Sequence, residues 1–184
     1  MSGHSPTLTV ARDGGNPVLR AIGMISTACG VLAALMIVAS VIVTCQMIWV
    51  RFVMGQSTIW QTEAVIYLMV GATMIGLPYV QRLRGHVNVD LVPMMLPRGA
   101  RFALAIVTLG AGIVVTAVMF WYGFDLWHVA WERNWRSDTV WAPKLWVPYL
   151  VLPVGFGLYL LQLAADFYAL LTGIERPFGL SEDK

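Results

Sequence analysis

The sequence predicts an all-α membrane protein: four transmembrane helices, both termini cytoplasmic, and a short interfacial segment in the second loop. Three observations carry this. Of 184 residues, 58% are hydrophobic and only 12% charged, with a mean hydropathy of +0.71; soluble domains carry about 25% charge. The charges are clumped, leaving four uncharged stretches at 21–50, 64–81, 102–124 and 145–165, each near the ~20 residues that a helix needs to cross ~30 Å of hydrocarbon. Lys and Arg are unevenly shared between the two sides. The composition excludes a disordered chain, a nucleic-acid partner and an ordinary cytosolic enzyme, and makes membrane lipid the expected surroundings.

The elements follow in order. Residues 1–20 are polar and rich in Gly, Pro, Ser and Thr, as in a mobile cytoplasmic tail. The first helix spans about 21–50. It starts late and exceeds the ~7–15 apolar residues of a signal peptide, so it is expected to stay in the mature chain. The second helix spans about 59–81, with Glu63 near its outer end. The third spans about 102–124, with an outer extension to about 136. The fourth spans about 145–171, with Pro148 and Pro153 in its outer half, where bends are expected. The membrane domain is 21–174, and 175–184 form a second cytoplasmic tail.

Loop charges set the orientation. Arg12, Arg20, Arg82, Arg84, Arg98, Arg101, Arg176 and Lys184 fall on the side of the termini, and Arg51, Arg133, Arg136 and Lys144 on the other. The positive-inside bias places the first side in the cytoplasm. All eight Trp (49, 60, 121, 127, 131, 135, 141 and 146) then fall at the outer end. Interfacial Trp normally marks both faces. A one-sided set fits either a thick outer aromatic belt or a docking surface, where Trp is enriched. In the third loop Trp127, Trp131 and Trp135 recur every four residues, forming one stripe on a helix. His128, Glu132 and Arg136 form the next stripe, with Glu132 and Arg136 as an i, i+4 ion pair.

Catalytic and metal signals are missing. Cys29 and Cys45 share one predicted helix about 24 Å apart, beyond disulfide reach. His4, His86 and His128 all lie outside the spans, which opposes a haem anchor or an intramembrane Ser–His protease. No GxxxxGK[ST] loop encodes an ATP-driven motor. No cofactor or metal is expected, and the chain does not read as an enzyme. Intramembrane charges often mark ion or substrate paths, and the spans hold almost none. Arg51 is placed to reach Glu63; Asp125 and Asp166 sit at helix ends. The helices instead carry packing signals: Ser26, Gly30 and Ala34 in the first, and Ala72 and Gly76 in the second, follow small-xxx-small spacing. In the second loop, Asp90 is a plausible N-cap for a short turn over 91–96, too short to span and apolar enough to lie in the interface.

Three motifs resemble one known family, the DctQ-like small membrane subunit of tripartite ATP-independent periplasmic (TRAP) transporters. Trp60-x-x-Glu63-x-x-x-Tyr67 is similar to its W-x-x-E-x-x-x-Y/F start of helix two. Gly85-His86-Val87-Asn88-Val89-Asp90 is similar to its G-H-[IV]-x-V-D loop, with Gly85, His86, Val89 and Asp90 as the matching positions. Pro143-Lys144-Leu145-Trp146-Val147-Pro148-Tyr149, then Pro153-x-Gly155, resembles its P-x-W-x-x-Y-x-x-x-P-x-G opening of helix four. The similarity covers about 22–171. Family members often have a second acid before the Glu and an Arg before the Tyr, where this chain has Thr62 and Ile66. The loop often reads Gly-Gly-His, and here Arg84 precedes Gly85.

The resemblance implies a bacterial inner-membrane subunit that scaffolds a large permease subunit. It would help a periplasmic solute-binding protein dock for ion-gradient-driven uptake (symport) of an organic acid. The residue pattern beside it assigns Glu63, Trp60, Tyr67 and Arg51 to packing and Trp127, Trp131, Glu132, Trp135 and Arg136 to an outer docking surface. The rival readings are a self-sufficient small carrier, which the missing mid-membrane charge opposes, and the membrane anchor of a quinone-linked enzyme.

Overall fold

The computed structural model describes residues 16–83 and 97–174. The loop motif Gly85, His86, Val89 and Asp90, residues 1–15 and the tail 175–184 lie outside the described residues; residues 17–20, expected in the N-terminal tail, already belong to the first helix. The elements are α1 (Pro17–Phe52), α2 (Ile59–Arg82), α3 (Arg98–Glu132), α4 (Trp146–Tyr149) and α5 (Val151–Leu171). Four segments are long and apolar enough to cross a membrane, with α4 and α5 together making the last, Trp146–Leu171.

Local chemistry explains the boundaries. Pro17 opens α1 with its φ already helical, and the Asn16 side chain accepts a hydrogen bond from the Val18 amide at 3.1 Å. After α1, Gly55 takes a φ of +62° and turns the chain toward α2. α1 has 36 residues and α3 has 35, so each is over ~50 Å long. Both exceed the hydrocarbon thickness and must tilt or project beyond it. The last span is interrupted at Leu150, between Pro148 and Pro153. Pro153 has no N–H for the Tyr149 carbonyl, and the ladder resumes with the Val154 amide donating to Leu150 at 3.2 Å. The interruption falls where the two prolines predict a bend.

α2 packs against α1 and α5, and α5 packs in turn against α3. The contacts are made by small residues: Ser26, Ala33, Ala72, Ala105, Ala130 and Ala165 are all buried. Lipid supplies no hydrophobic drive between helices, so close backbone approach and dispersion do the work. The predicted stripe on α1 shifts by one position. Ser26 is buried and Gly30 lies under the Tyr79 ring, but Ala33, not Ala34, meets Gly76. A Cβ on Gly155 would sit 2.9 Å from the Met74 carbonyl oxygen. That carbonyl has no i+4 amide partner, because residue 78 is proline. α5 therefore crosses α2 where the backbone polar group left over by Pro78 is covered by the one residue without a side chain. Val31, Leu35, Val38 and Ile42 on α1, and Val107, Val114 and Val118 on α3, stay exposed.

The end of the bundle near the chain termini is tied by side-chain hydrogen bonds. Ser26 donates to Gln162 Oε1 at 2.6 Å, Gln162 Nε2 to Asp166 at 2.7 Å, and Gln81 Nε2 to the other Asp166 oxygen at 2.9 Å. Arg82 donates to the Gly23 carbonyl and to Thr27 Oγ1. Asp166 therefore lies inside α5 and joins it to α2, rather than sitting at a helix end. Breaking this chain at Gln162 leaves Ser26 and one Asp166 oxygen without that partner. A Gln162→Leu variant is expected to lose about 1–3 kcal/mol of stability, read as a lower unfolding midpoint in detergent. A Ser26→Ala/Gln162→Leu double-mutant cycle is expected to show a coupling of about 1 kcal/mol.

Candidate functional site: the hairpin end

At the opposite end, α3 stops at Glu132, short of the expected 136. Asn134 takes a left-handed φ of 48°, a conformation Asn tolerates, and the Trp135 amide closes back on the Ala130 carbonyl at 3.1 Å. The chain then forms a small hairpin over 135–145. Arg136 and Lys144 form an antiparallel bridge. It is flanked by the Ser137 amide donating to Pro143 at 3.1 Å and the Leu145 amide donating to Trp135 at 2.9 Å. The tip turns through Ala142, whose φ is 41° and whose amide donates to Thr139 at 2.9 Å.

Glu63 holds this hairpin against α2. Ser137 Oγ donates to Glu63 Oε1, and Thr139 Oγ1 donates to Oε2 at 2.8 Å. Both carboxylate oxygens are thus satisfied by hydroxyls 74 and 76 residues away in sequence. Tyr67, one turn further along α2, neighbours Glu63, Ser137 and Tyr149. On the other side of Glu63, Trp60 meets Trp141 edge-on, with ring centres 6.3 Å apart. Trp60, Glu63 and Tyr67 therefore form one strip of α2 that grips the hairpin. The expected Arg51–Glu63 pair does not form. Arg51 instead lines an open cleft of about 300 Å³ with Gln56, Ser57, Thr58, Ile59 and Thr62. Ser137 and Thr139 were not legible as partners, because nothing in a Ser-Asp-Thr tripeptide points to a particular carboxylate.

Tryptophan rings meet in two places, Trp60 on Trp141 and a run along α3 that ends on Trp146. Phe124, Trp127 and Trp131 follow one another along α3 at centre distances of 5.6 and 6.1 Å, and Trp131 meets Trp146 nearly perpendicular at 4.6 Å. The offset and edge-on geometries are those that aromatic quadrupoles favour. Trp135 lies beyond the helix end, so the expected three-member stripe has two members. Glu132 is accompanied by His128 at 3.7 Å rather than by Arg136, because Arg136 has left the helix for the hairpin. At the opening of the last span, Pro143 supplies the carbonyl that closes the hairpin, Trp146 and Pro148 lie in α4, and Tyr149 ends it. Pro153 is buried in α5. Gln61 Oε1 and Trp127 Nε1 are buried without a hydrogen-bond partner among the described residues. No cluster of three metal-ligating side chains occurs among those residues.

A bundle of four helices long and apolar enough to cross a membrane, packed through small residues and carrying one aromatic, hydrogen-bonded end, defines a multi-pass membrane protein. The family described as "Tripartite ATP-independent periplasmic transporters, DctQ component" matches residues 40–173, and the chain belongs to that family. It is therefore a component of a TRAP transport system. A relative is the isethionate TRAP transporter permease protein DctMQ of Oleidesulfovibrio alaskensis, 24% identical over 110 residues. Those residues are 60% of this chain and 17% of that protein, so the chain matches less than a fifth of that relative's length.

Proposed function

We propose that the chain is the small subunit that braces a large permease subunit in the bacterial inner membrane. In this reading its hairpin end faces the periplasm and helps a solute-binding protein dock for ion-gradient-driven uptake of an organic acid. The observation that carries it is the division of labour among side chains. The polar ones are tied to one another inside the bundle, while the long faces of α1 and α3 are apolar, exposed and free of mid-span charge. Such faces suit packing against lipid and other helices, not solute passage. Family membership over 40–173 supports the same role. The isethionate in the relative's name is an organic anion, in keeping with the substrate class. Eight Lys and Arg on the side of the termini against four on the other support cytoplasmic termini.

The test is reconstitution. Vesicles holding only this chain are expected to show no solute flux. Flux should require the large subunit and the binding protein, and flux from this chain alone would establish the self-sufficient carrier instead. Docking is assigned to the exposed edge of α3 with Trp131 and Glu132. Trp131→Ala is expected to weaken binding-protein affinity about tenfold, as removal of an interface Trp does. Unchanged affinity, measured with the full membrane complex, would remove Trp131 from the interface.

A further inference from the structure

The bridge in the hairpin places two cations face to face. The hydrogen bonds from Ser137 to Pro143 and from Leu145 to Trp135 flank Arg136 and Lys144. That makes the pair a non-hydrogen-bonded one, in which side chains project from the same face at their closest cross-strand spacing. Like charges directly opposite are destabilising. Both side chains are exposed, and among the described residues neither has a carboxylate within salt-bridge distance. Arg133, just before the hairpin, adds a third exposed cation. The arrangement is unfavourable in isolation and becomes favourable when an anion sits between the two strands.

The position of the hairpin decides which anion. It is fastened to Glu63, the residue immediately before the uncharged stretch 64–81, and so sits at the rim of the bilayer whichever leaflet this is. Its tip carries Val140, 90% exposed, and the exposed Trp141, which continues laterally into the exposed Trp60 and Ile59. An indole and a valine beside two cations match the layering of a membrane surface. There, apolar groups enter the acyl boundary while basic groups meet phosphate. A soluble acidic protein would satisfy the cations but leave Val140 without a reason to be apolar.

We propose that the 135–145 hairpin is an anionic-phospholipid site: Arg136 and Lys144 together hold the headgroup phosphate, and Val140 and Trp141 insert beside it. The site is distinct from the Trp131–Glu132 edge and does not depend on any transport role. Each cation removed should weaken retention of anionic lipid about fivefold.

The test uses the full chain in nanodiscs made from phosphatidylethanolamine with either phosphatidylglycerol or phosphatidylcholine. Tightly held lipid is read by native mass spectrometry, and quenching of Trp141 by brominated lipid is read in a variant keeping that Trp alone. Wild type should retain phosphatidylglycerol over phosphatidylcholine. R136Q/K144Q should lose that preference. K144E converts the opposed cations into a cross-strand ion pair, so it should keep the hairpin folded, with an unfolding midpoint no lower than wild type, and still lose the lipid. Equal retention of phosphatidylglycerol by wild type and K144E overturns the proposal. So does loss of binding-protein affinity in K144E with lipid retention intact, which would assign the cations to an acidic protein surface.

Discussion

Replacing Gly155 with leucine is expected to separate α5 from α2 and to be the most destabilising single change in the bundle. A Cβ at this position meets Met74 Cβ at 2.8 Å, its carbonyl oxygen at 2.9 Å and its carbonyl carbon at 3.0 Å. Two of these three atoms are backbone, held in a helix, and cannot rotate away. The nearby α4–α5 interruption offers no relief, because Pro153 is buried just before the contact. Overpacking against yielding neighbours costs about 1–3 kcal/mol, and against a fixed backbone the cost should reach the top of that range or pass it. Separation would also uncover the Met74 carbonyl that Pro78 leaves without a helical partner. The predicted outcome is a large fall in the unfolding midpoint in detergent and loss of monodisperse protein. Gly30→Ala provides the contrast. The three atoms nearest its Cβ all belong to the Tyr79 ring, the closest at 2.4 Å, and a side chain is able to swing. Gly30→Ala should therefore be milder than Gly155→Leu, and the reverse order would show that α1–α2, not α2–α5, is the rigid contact.

Replacing Glu63 with alanine is expected to release the hairpin while leaving the helices intact. The carboxylate accepts from both Ser137 and Thr139, and hydrogen bonds to a charged group are worth about 1.5–3 kcal/mol each. The remaining grip, Trp60 on Trp141, is an edge contact worth about 0.5–1.5 kcal/mol. Residues 135–145 should then exchange amide hydrogens faster and become cleavable by protease, with little change in the helices. Glu63→Gln should fall between. An amide keeps one acceptor oxygen, but its NH₂ opposes a hydroxyl already turned to donate. If the hairpin of Glu63→Ala stays as protected as in wild type, the Trp60–Trp141 contact and the 137–143 ladder hold it alone. Because the hairpin carries the cation pair, Glu63→Ala should also loosen anionic lipid at a distance from the lipid itself.

That Glu63 needs a partner was legible in sequence, and which partner was not. A lone carboxylate at the border of an 18-residue uncharged run has to be satisfied by something, and Arg51 was the nearest candidate along the chain. The partner turned out to be two hydroxyls in a loop contributed by the far half of the protein. The same limitation explains the tryptophan stripe. Period-four spacing marks a helical face only while the helix lasts, and Asn134 ends it one residue before Trp135. Glu132 and Arg136, spaced as an ion pair, were parted by the same turn. Gln162 and Asp166 show the converse. Asp166 read as a helix-end carboxylate and Gln162 carried no signal, yet with Ser26 and Gln81 they tie three helices together, because the tertiary fold brings their one-turn spacing opposite polar groups of α1 and α2.

The sequence alone determined that the chain is all-α with four segments long and apolar enough to cross a membrane, and that prolines fall where the last of them is interrupted. These are local properties: hydropathy summed over a bilayer thickness, and the missing amide of a proline. Three motifs in order also pointed to the DctQ family. Only the tertiary structure decided which small residues meet, which hydroxyls take the Glu63 carboxylate, and that Arg136 and Lys144 stand opposite one another on a hairpin. Those are pairings between distant segments. They depend on how helices cross and where a loop folds back, and one residue of rotation or one left-handed turn changes the partner without changing the pattern.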